Sequence, residues 1–491
     1  MSNSVLAAVD DAPGLADARL LIGGEWIAKG DAGSCEHISP ITGLAQAHIA
    51  LASAEQVDLA VAAAKAAFPA WRAMPGEKRR RILQRIEELI ERDRPNLARL
   101  TTLELGMPTA GAQHYPLMAA AYFGYYAGWA DKIEGSTIPV SPPTGFDYTL
   151  LEPYGVIGVI ITWNGPLASL GMKVAPALAA GNCVVVKSPE VAPFVIERFA
   201  QLAEEAGLPP GVFNLVPGLG EAGDRLVRHP DVAKITFTGG GVTARKIMSA
   251  ASESLTPLAL ELGGKSANLL FADADLEKAV PNALMHGIVA NAGQGCSFPT
   301  RLLVERSIYA EVVDRLAALA AAVRLGDPFK PETQMGPVVN AAACTRIMGA
   351  IDKARSTARL VAGGERLGGE FAGGYFIRPT VFADVESSNE LATHEVFGPV
   401  LTVTPFEGEA QAVEIANSTV YGLAAYIQSR DIGRVNRLVP QLRAGTIHVN
   451  GKSAMPPNAP FGGYGESGFG REGGKAGLDE FLQIKNVFIQ A

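Results

Sequence analysis

The sequence predicts an α/β protein of more than one structural unit, and three observations carry that expectation. Its 491 residues exceed what a single hydrophobic core serves. Hydrophobic residues make up 48% of the chain and aromatics only 7%, so alanine, glycine and valine supply closely packed helix and sheet layers. From residue 155 onward, short continuous apolar runs alternate with amphipathic stretches, the pattern of parallel strands covered on both faces.

Residues 54–130 read as helices, with Ser53 or the acids after it as the entry signal. The stretch EGSTIPVSPPTGFDY (134–148) turns to Pro, Gly, Ser and Thr and reads as an irregular linker or edge ribbon. Strand and helix then alternate: GVIGVIITW (155–163), SLGMKVAPALAAG (169–181), NCVVVKSP (182–189) and VAPFVIERFAQLAEEAG (191–207). VFNLVPG (212–218), AKITFTGG (233–240) and LALELGG (258–264) extend the same sheet. A second α/β unit opens with a helix over 276–293, followed by strand 300–305, helix 309–323 and strands near 400–406 and 445–450. The apolar tail 480–490 needs a partner edge.

The formal net charge is −8, and the most basic stretch, EKRRRILQRIEELIERDR (77–94), mixes both signs at helical spacing. That describes a solvated helix face and excludes a nucleic-acid footprint. Cys35, Cys183, Cys296 and Cys344 lie far apart, and the seven histidines have no ligand spacing, so neither a disulfide framework nor a metal site is expected. Residues 1–19 lack a basic start followed by an apolar run, and no apolar run reaches about 18 residues. The expectation is a cytoplasmic protein without membrane or nucleic-acid partners.

Several groups could carry chemistry. Gly218, Gly220 and Gly223 in PGLGEAG formally match the G-x-G-x-x-G dinucleotide pattern, and FTGGG (237–241) offers bare backbone N–H groups at a helix start. Lys187 ends an apolar strand, and Glu190, three residues on, is placed to accept from ribose hydroxyls. Glu261 follows another apolar strand, where desolvation raises a carboxylate pKa and suits a general base, although a solvated strand-end acid is the commoner case. Asn164, at the end of a third, has an amide able to donate to an oxyanion, although taken alone it reads more readily as an ordinary strand-to-loop asparagine. Cys296 lies between Gly295 and Ser297 in NAGQGCSFPT; taken alone it reads more readily as a packing residue than as a nucleophile.

Taken in order, TWNGPL, KVAPALAAGNCVVVKSPE, FTGGG, LELGGKS, GQGC, EVFGPV and PFGGYGESGFGREGG resemble the aldehyde dehydrogenase superfamily from about Leu21 to the C-terminus. The resemblance implies oxidation of an aldehyde to a carboxylic acid with NAD, NADP being the alternative cofactor, through a thioester on Cys296. Asn164 and the Cys296 N–H would hold the oxyanion, Glu261 would activate water, and Lys173 would assist near the oxyanion or in proton relay. Lys187, Glu190, Glu395 and Phe397 match ribose contacts. Ile161, Trp163, Gly220, Gly239, Gly240 and Leu262 line the same cofactor crevice.

The resemblance further implies a Rossmann-type cofactor domain (1–130 and 151–262), a catalytic domain (263–475) and a bridging or oligomerisation element (131–150 and 476–491). Its two apolar ribbons would pair across subunits in a homodimer or homotetramer. Gly165 stands where relatives carry a large aromatic residue, and Ser169 and Met172 replace other bulky positions, so a pocket wide on that side is expected. Ser297 and Phe461 belong to the pocket, with Tyr122, Phe123, Tyr126 and Met455 as further apolar walls. A bulky apolar aldehyde (aromatic, terpenoid or medium-chain) is the expected substrate. The alternatives are a semialdehyde or coenzyme A-acylating dehydrogenase, or a catalytically silent binding member of the fold.

Overall fold

The computed structural model describes residues 14–141 and 144–490, so the first 13 residues of the N-terminal stretch read above lie outside it. Helix Ala54–Ala73 opens with a capping box: Ser53 Oγ accepts from the Gln56 N–H and the Gln56 side chain accepts from the Ser53 N–H. Helices Gly76–Arg92, Arg94–Leu105, Thr109–Ala112 and His114–Ala127 follow. Gly76–Arg92 and His114–Ala127 pack on helix Pro166–Ala180, every residue of which is buried. That explains a helix apolar on all sides.

The strands of 155–264 share one eight-stranded sheet in the order Gly468–Phe469, Leu258–Glu261, Val232–Thr238, Val156–Ile160, Cys183–Lys187, Phe213–Leu215, Leu20–Ile22 and Glu25–Ile27. The five central strands are parallel. Chain order reverses between Val156–Ile160 and Val232–Thr238, which makes the carboxyl edge there the ligand crevice of an open α/β sheet. Register brings candidate residues to that edge, since Ile160 pairs with both Lys187 and Phe237, and Thr238 with Glu261.

A seven-stranded sheet forms the second unit: Arg359–Ala362, Thr380–Ala383, Val400–Phe406, Arg301–Glu305, Ala267–Leu270, Ala424–Gln428 and Thr446–Val449. Only Arg359–Ala362 runs antiparallel to its neighbour. The helix expected over 276–293 ends early: α-helix Leu276–Leu284 passes into a π-turn, Met285–Val289, and then into left-handed backbone at Asn291 (φ 45°) and Ala292 (φ 49°). Helical periodicity could not foresee this, because the turn is held by contacts with distant residues.

The two apolar ribbons pair with each other within this chain, Gly145–Pro153 against Leu482–Gln490 over nine antiparallel positions, a pairing the expectation did not include; Leu482–Gln490 is the outer strand of that three-stranded sheet. The first ribbon runs to Pro153, past the expected boundary at 150. Their pattern of exposed apolar residues, including Phe146, Leu150, Ile484 and Phe488, looks the same in sequence for either pairing. Among the described residues no helix is long and apolar enough to cross a membrane.

Asn182 locks the first sheet to the tail. Its side chain accepts from the Gly155 N–H (2.9 Å) and donates to the carbonyls of Phe481 (2.9 Å) and Ala177 (3.2 Å), all in the interior. Substitution Asn182→Ala strands buried backbone groups and is expected to lower stability by about 2–3 kcal/mol, read as a shift of the denaturant midpoint. An unshifted midpoint would show that the tail is held without it.

Candidate active site

Cys296 sits in a loop between the π-turn and strand Arg301–Glu305. Gly293 lets the loop pass: its φ is +72°, and a Cβ there would lie 2.1 Å from the Gly398 carbonyl oxygen. Gln294, which is buried, pins the turn. Its Oε1 accepts from the Val339 N–H (2.9 Å) and its Nε2 donates to the Asn291 carbonyl (3.0 Å). Asn291 Nδ2 in turn donates to the carbonyls of Gln294 and Asn164.

Asn164, at the end of the first sheet, reaches the same loop: its Nδ2 donates to the Gln294 carbonyl at 3.0 Å, and its Oδ1 accepts from Thr162 Oγ1 at 3.0 Å. One amide hydrogen is used and the amide plane is fixed, leaving the second hydrogen for a ligand. The Cys296 carbonyl oxygen lies 2.7 Å from where a Cβ on Gly264 would stand, so the cysteine backbone rests on the glycine pair that follows Glu261.

Glu261 is buried, and neither carboxylate oxygen has a hydrogen-bond partner. Burial pushes its pKa well up and the Glu472 charge adds to this, while Lys173 and Arg471 oppose it. Lys173 contacts neither Asn164 nor the loop: its Nζ lies 2.5 Å from Glu472 Oε1 and donates to Thr236 Oγ1 at 2.9 Å. Lys173, Glu472, Arg471, Thr236 and Met172 line a small cavity with Glu261, an arrangement suited to moving protons to or from that carboxylate.

Around the switch point, Lys187 Nζ lies 3.8 Å from Glu190 Oε2, and burial lowers the lysine pKa. The Ile161 N–H donates to the Lys187 carbonyl (3.4 Å), and the Gly239 N–H to that of Glu261 (3.1 Å). Gly220 and Gly240 stand at the starts of helices Gly220–Arg228 and Gly241–Ser252, and no atom lies within 4 Å of where a Cβ on either would be. A pyrophosphate fits such open, N–H-lined positions. Trp163 and Phe397 meet edge to face, with ring centroids 5.6 Å apart, and Phe397 has left-handed backbone (φ 50°). Glu395 accepts from the Gly264 N–H (3.1 Å), and burial lifts its pKa to about 7. The Leu262 N–H is already taken by the Ser467 carbonyl (3.1 Å).

The whole chain can be compared with known proteins on this basis. A sequence profile described as "Aldehyde dehydrogenase family" matches residues 26–487. The chain belongs to the aldehyde dehydrogenase family. Similar members include betaine aldehyde dehydrogenase of Bacillus subtilis (41% identical over 96% of this chain and 96% of the relative) and the mitochondrial aldehyde dehydrogenase of Equus caballus (41%, 96% and 95%). Among solved structures, the NAD+ complex of aldehyde dehydrogenase from Bacillus cereus superposes with a TM-score of 0.93 at 38% identity, covering 100% of this chain and 99% of that one.

In this aldehyde dehydrogenase the expected pocket needs correction. Gly165 does not open a space: a Cβ there would lie 2.8 Å from Tyr115 Cε1, so a ring from helix His114–Ala127 occupies that side. Nothing in the sequence marks Tyr115, which lies 50 positions from the glycine it fills. Phe123 is no wall either, being fully buried against Phe199 (centroids 5.3 Å apart). Tyr126 is likewise internal, donating to the Gly474 carbonyl. Tyr122 donates to the Met455 carbonyl (3.5 Å) and supports that segment from beneath. Phe461 is buried and exchanges two backbone hydrogen bonds with Glu472. Ser169 is buried one turn after Gly165, while Met172 faces the Glu261 cavity. Ser297 Oγ is 3.4 Å from Ser453 Oγ, and the Ser297 carbonyl accepts from Tyr426.

Burial pushes the Cys296 thiol up to about 12, with the charges of Glu395, Glu261 and Glu472 adding to it. The thiolate fraction should therefore grow about tenfold per pH unit from pH 6 to 10 without levelling off. Iodoacetamide labelling of the Cys296 peptide, followed by mass mapping, measures this. In Glu395→Gln the labelling above pH 7, where Glu395 is ionised, should become faster. A plateau near pH 7 in the unmodified enzyme would contradict the assignment.

Proposed function

We propose that this enzyme oxidises a bulky apolar aldehyde to its carboxylic acid with NAD, through a thioester on Cys296. The observation that carries the reading is the junction of Asn164, the Cys296 loop and the buried, unpartnered Glu261 beside an open dinucleotide cradle. Bound NAD supplies the two-electron acceptor, and the remaining work falls to the chain's own residues. The Cys296 thiolate adds to the aldehyde carbon, and the second Asn164 amide hydrogen together with the Cys296 N–H stabilises the oxyanion. Glu261, its pKa raised, then takes a proton from the water that hydrolyses the thioester, and Lys173 and Glu472 pass that proton onward.

Glu190 supports a preference for NAD, because its carboxylate would repel a 2′-phosphate. Lys187, Trp163, Glu395 and Phe397 complete the cradle. The eight-stranded unit serves as the cofactor domain, the seven-stranded unit as the catalytic domain, and the paired ribbons as the element through which copies of the chain associate. Four free cysteines suit a reducing, cytoplasmic setting.

Two arginines beside these side chains are engaged. Arg471 donates to the Gly463 and Gly470 carbonyls, and Arg301 to those of Lys265, Ile415 and Ala416. This speaks against a carboxylate-bearing substrate. A semialdehyde acid draws its support from exposed Lys452, next to Ser453 on the segment facing Ser297.

Release of NADH or NADPH over a panel of benzaldehyde, long aliphatic aldehydes and succinic semialdehyde tests these readings. The highest kcat/KM is expected for benzaldehyde or a long aliphatic aldehyde with NAD, and a semialdehyde preference would overturn the apolar assignment. Cys296→Ala should abolish turnover. Glu261→Gln should lower it about 10²–10⁴-fold while leaving acyl-enzyme detectable by mass spectrometry, with or without coenzyme A. Turnover restored by coenzyme A in the native enzyme would favour an acylating dehydrogenase.

A further inference from the structure

We propose that Tyr115 is a specificity-determining residue whose hydroxyl recognises a hydrogen-bonding group, above all a ring hydroxyl, on an aromatic aldehyde held at Cys296. This rests on the thioester reading above and names the substrate class within it. The first support is position. The Tyr115 ring covers Gly165, with Cε1 and Cδ1 2.8 and 3.4 Å from where a Cβ would stand, and Gly165 directly follows the amide assigned to the oxyanion. The phenol and the Cys296 thiol are also near enough for their charges to interact.

The second support is that the hydroxyl is free. Tyr115 is half-buried, has no hydrogen-bond partner among the described residues, and keeps its O–H open to solvent, so the group can meet a ligand without first breaking a bond within the protein.

The third support is rigidity. The ring is held against Ala98, Met107 and Ala112 and meets His114 edge to face at 6.4 Å, so the O–H is presented in a fixed direction. Burial raises the Tyr115 pKa to about 12, so the group remains a donor throughout the working pH range. A fixed donor discriminates by what a substrate fails to supply: an unsubstituted ring must dehydrate the phenol without replacing its hydrogen bond.

The test compares kcat/KM for benzaldehyde with that for 2-, 3- and 4-hydroxybenzaldehyde in the full-length enzyme and in Tyr115→Phe. The native enzyme should favour at least one hydroxybenzaldehyde by about tenfold. Tyr115→Phe should erase that ratio, with the loss falling in KM, as expected for binding made equally in ground and transition states. The double variant Tyr115→Val with Gly165→Phe, which moves the aromatic wall to position 165, should also lack the preference. No hydroxyl preference in the native enzyme, an unchanged ratio in Tyr115→Phe, or a parallel loss for all four aldehydes would each overturn the proposal. Absence of NADH from every aldehyde would instead overturn the thioester reading on which it stands.

Discussion

The 3.0 Å hydrogen bond from Asn164 to the Gln294 carbonyl joins two structures that share no strand. One partner terminates a central strand of the eight-stranded sheet, and the other lies in the loop that feeds the seven-stranded sheet. That loop contains two consecutive non-glycine residues in left-handed backbone, a conformation costing on the order of 1–3 kcal/mol each. Gln294 and Asn291 hold it there with side-chain bonds to backbone, so the position of Cys296 depends on Asn164 as much as on its own neighbours. The amide is thus a strut between the units with one hydrogen still free.

Around this strut, electrostatics follow from burial. Glu261, Glu395 and Glu472 all bear on the Cys296 thiol, and two of the three have carboxyl pKa values raised by desolvation. Lys265 next to Glu395 is pushed the other way, to about 7, and its Nζ has no hydrogen-bond partner. Net charge at the site is therefore small and easily altered by a charged ligand.

What the sequence made legible divides along physical lines. Parallel strands buried on both faces betray themselves as apolar runs, so the central strands and the residues at their carboxyl ends were readable, Asn164, Lys187 and Glu261 among them. The Lys173–Glu472 pair was not, because it joins positions 299 apart and nothing local marks it. Tyr115 against Gly165 escaped for the same reason: an absent side chain tells nothing of what fills its place. The left-handed turn was hidden in a stretch with acceptable helical periodicity, and the pairing of the two ribbons with each other joins stretches far apart in the chain. Local chemistry was visible and long-range complementarity was not.

The high thiol pKa has a bearing on durability. Peroxide attacks thiolates, not thiols, and oxidation beyond the sulfenic stage is irreversible for most proteins. A sulfur held at about 12 is almost wholly protonated near neutral pH, so the same burial that slows its chemistry also slows its loss to oxidants.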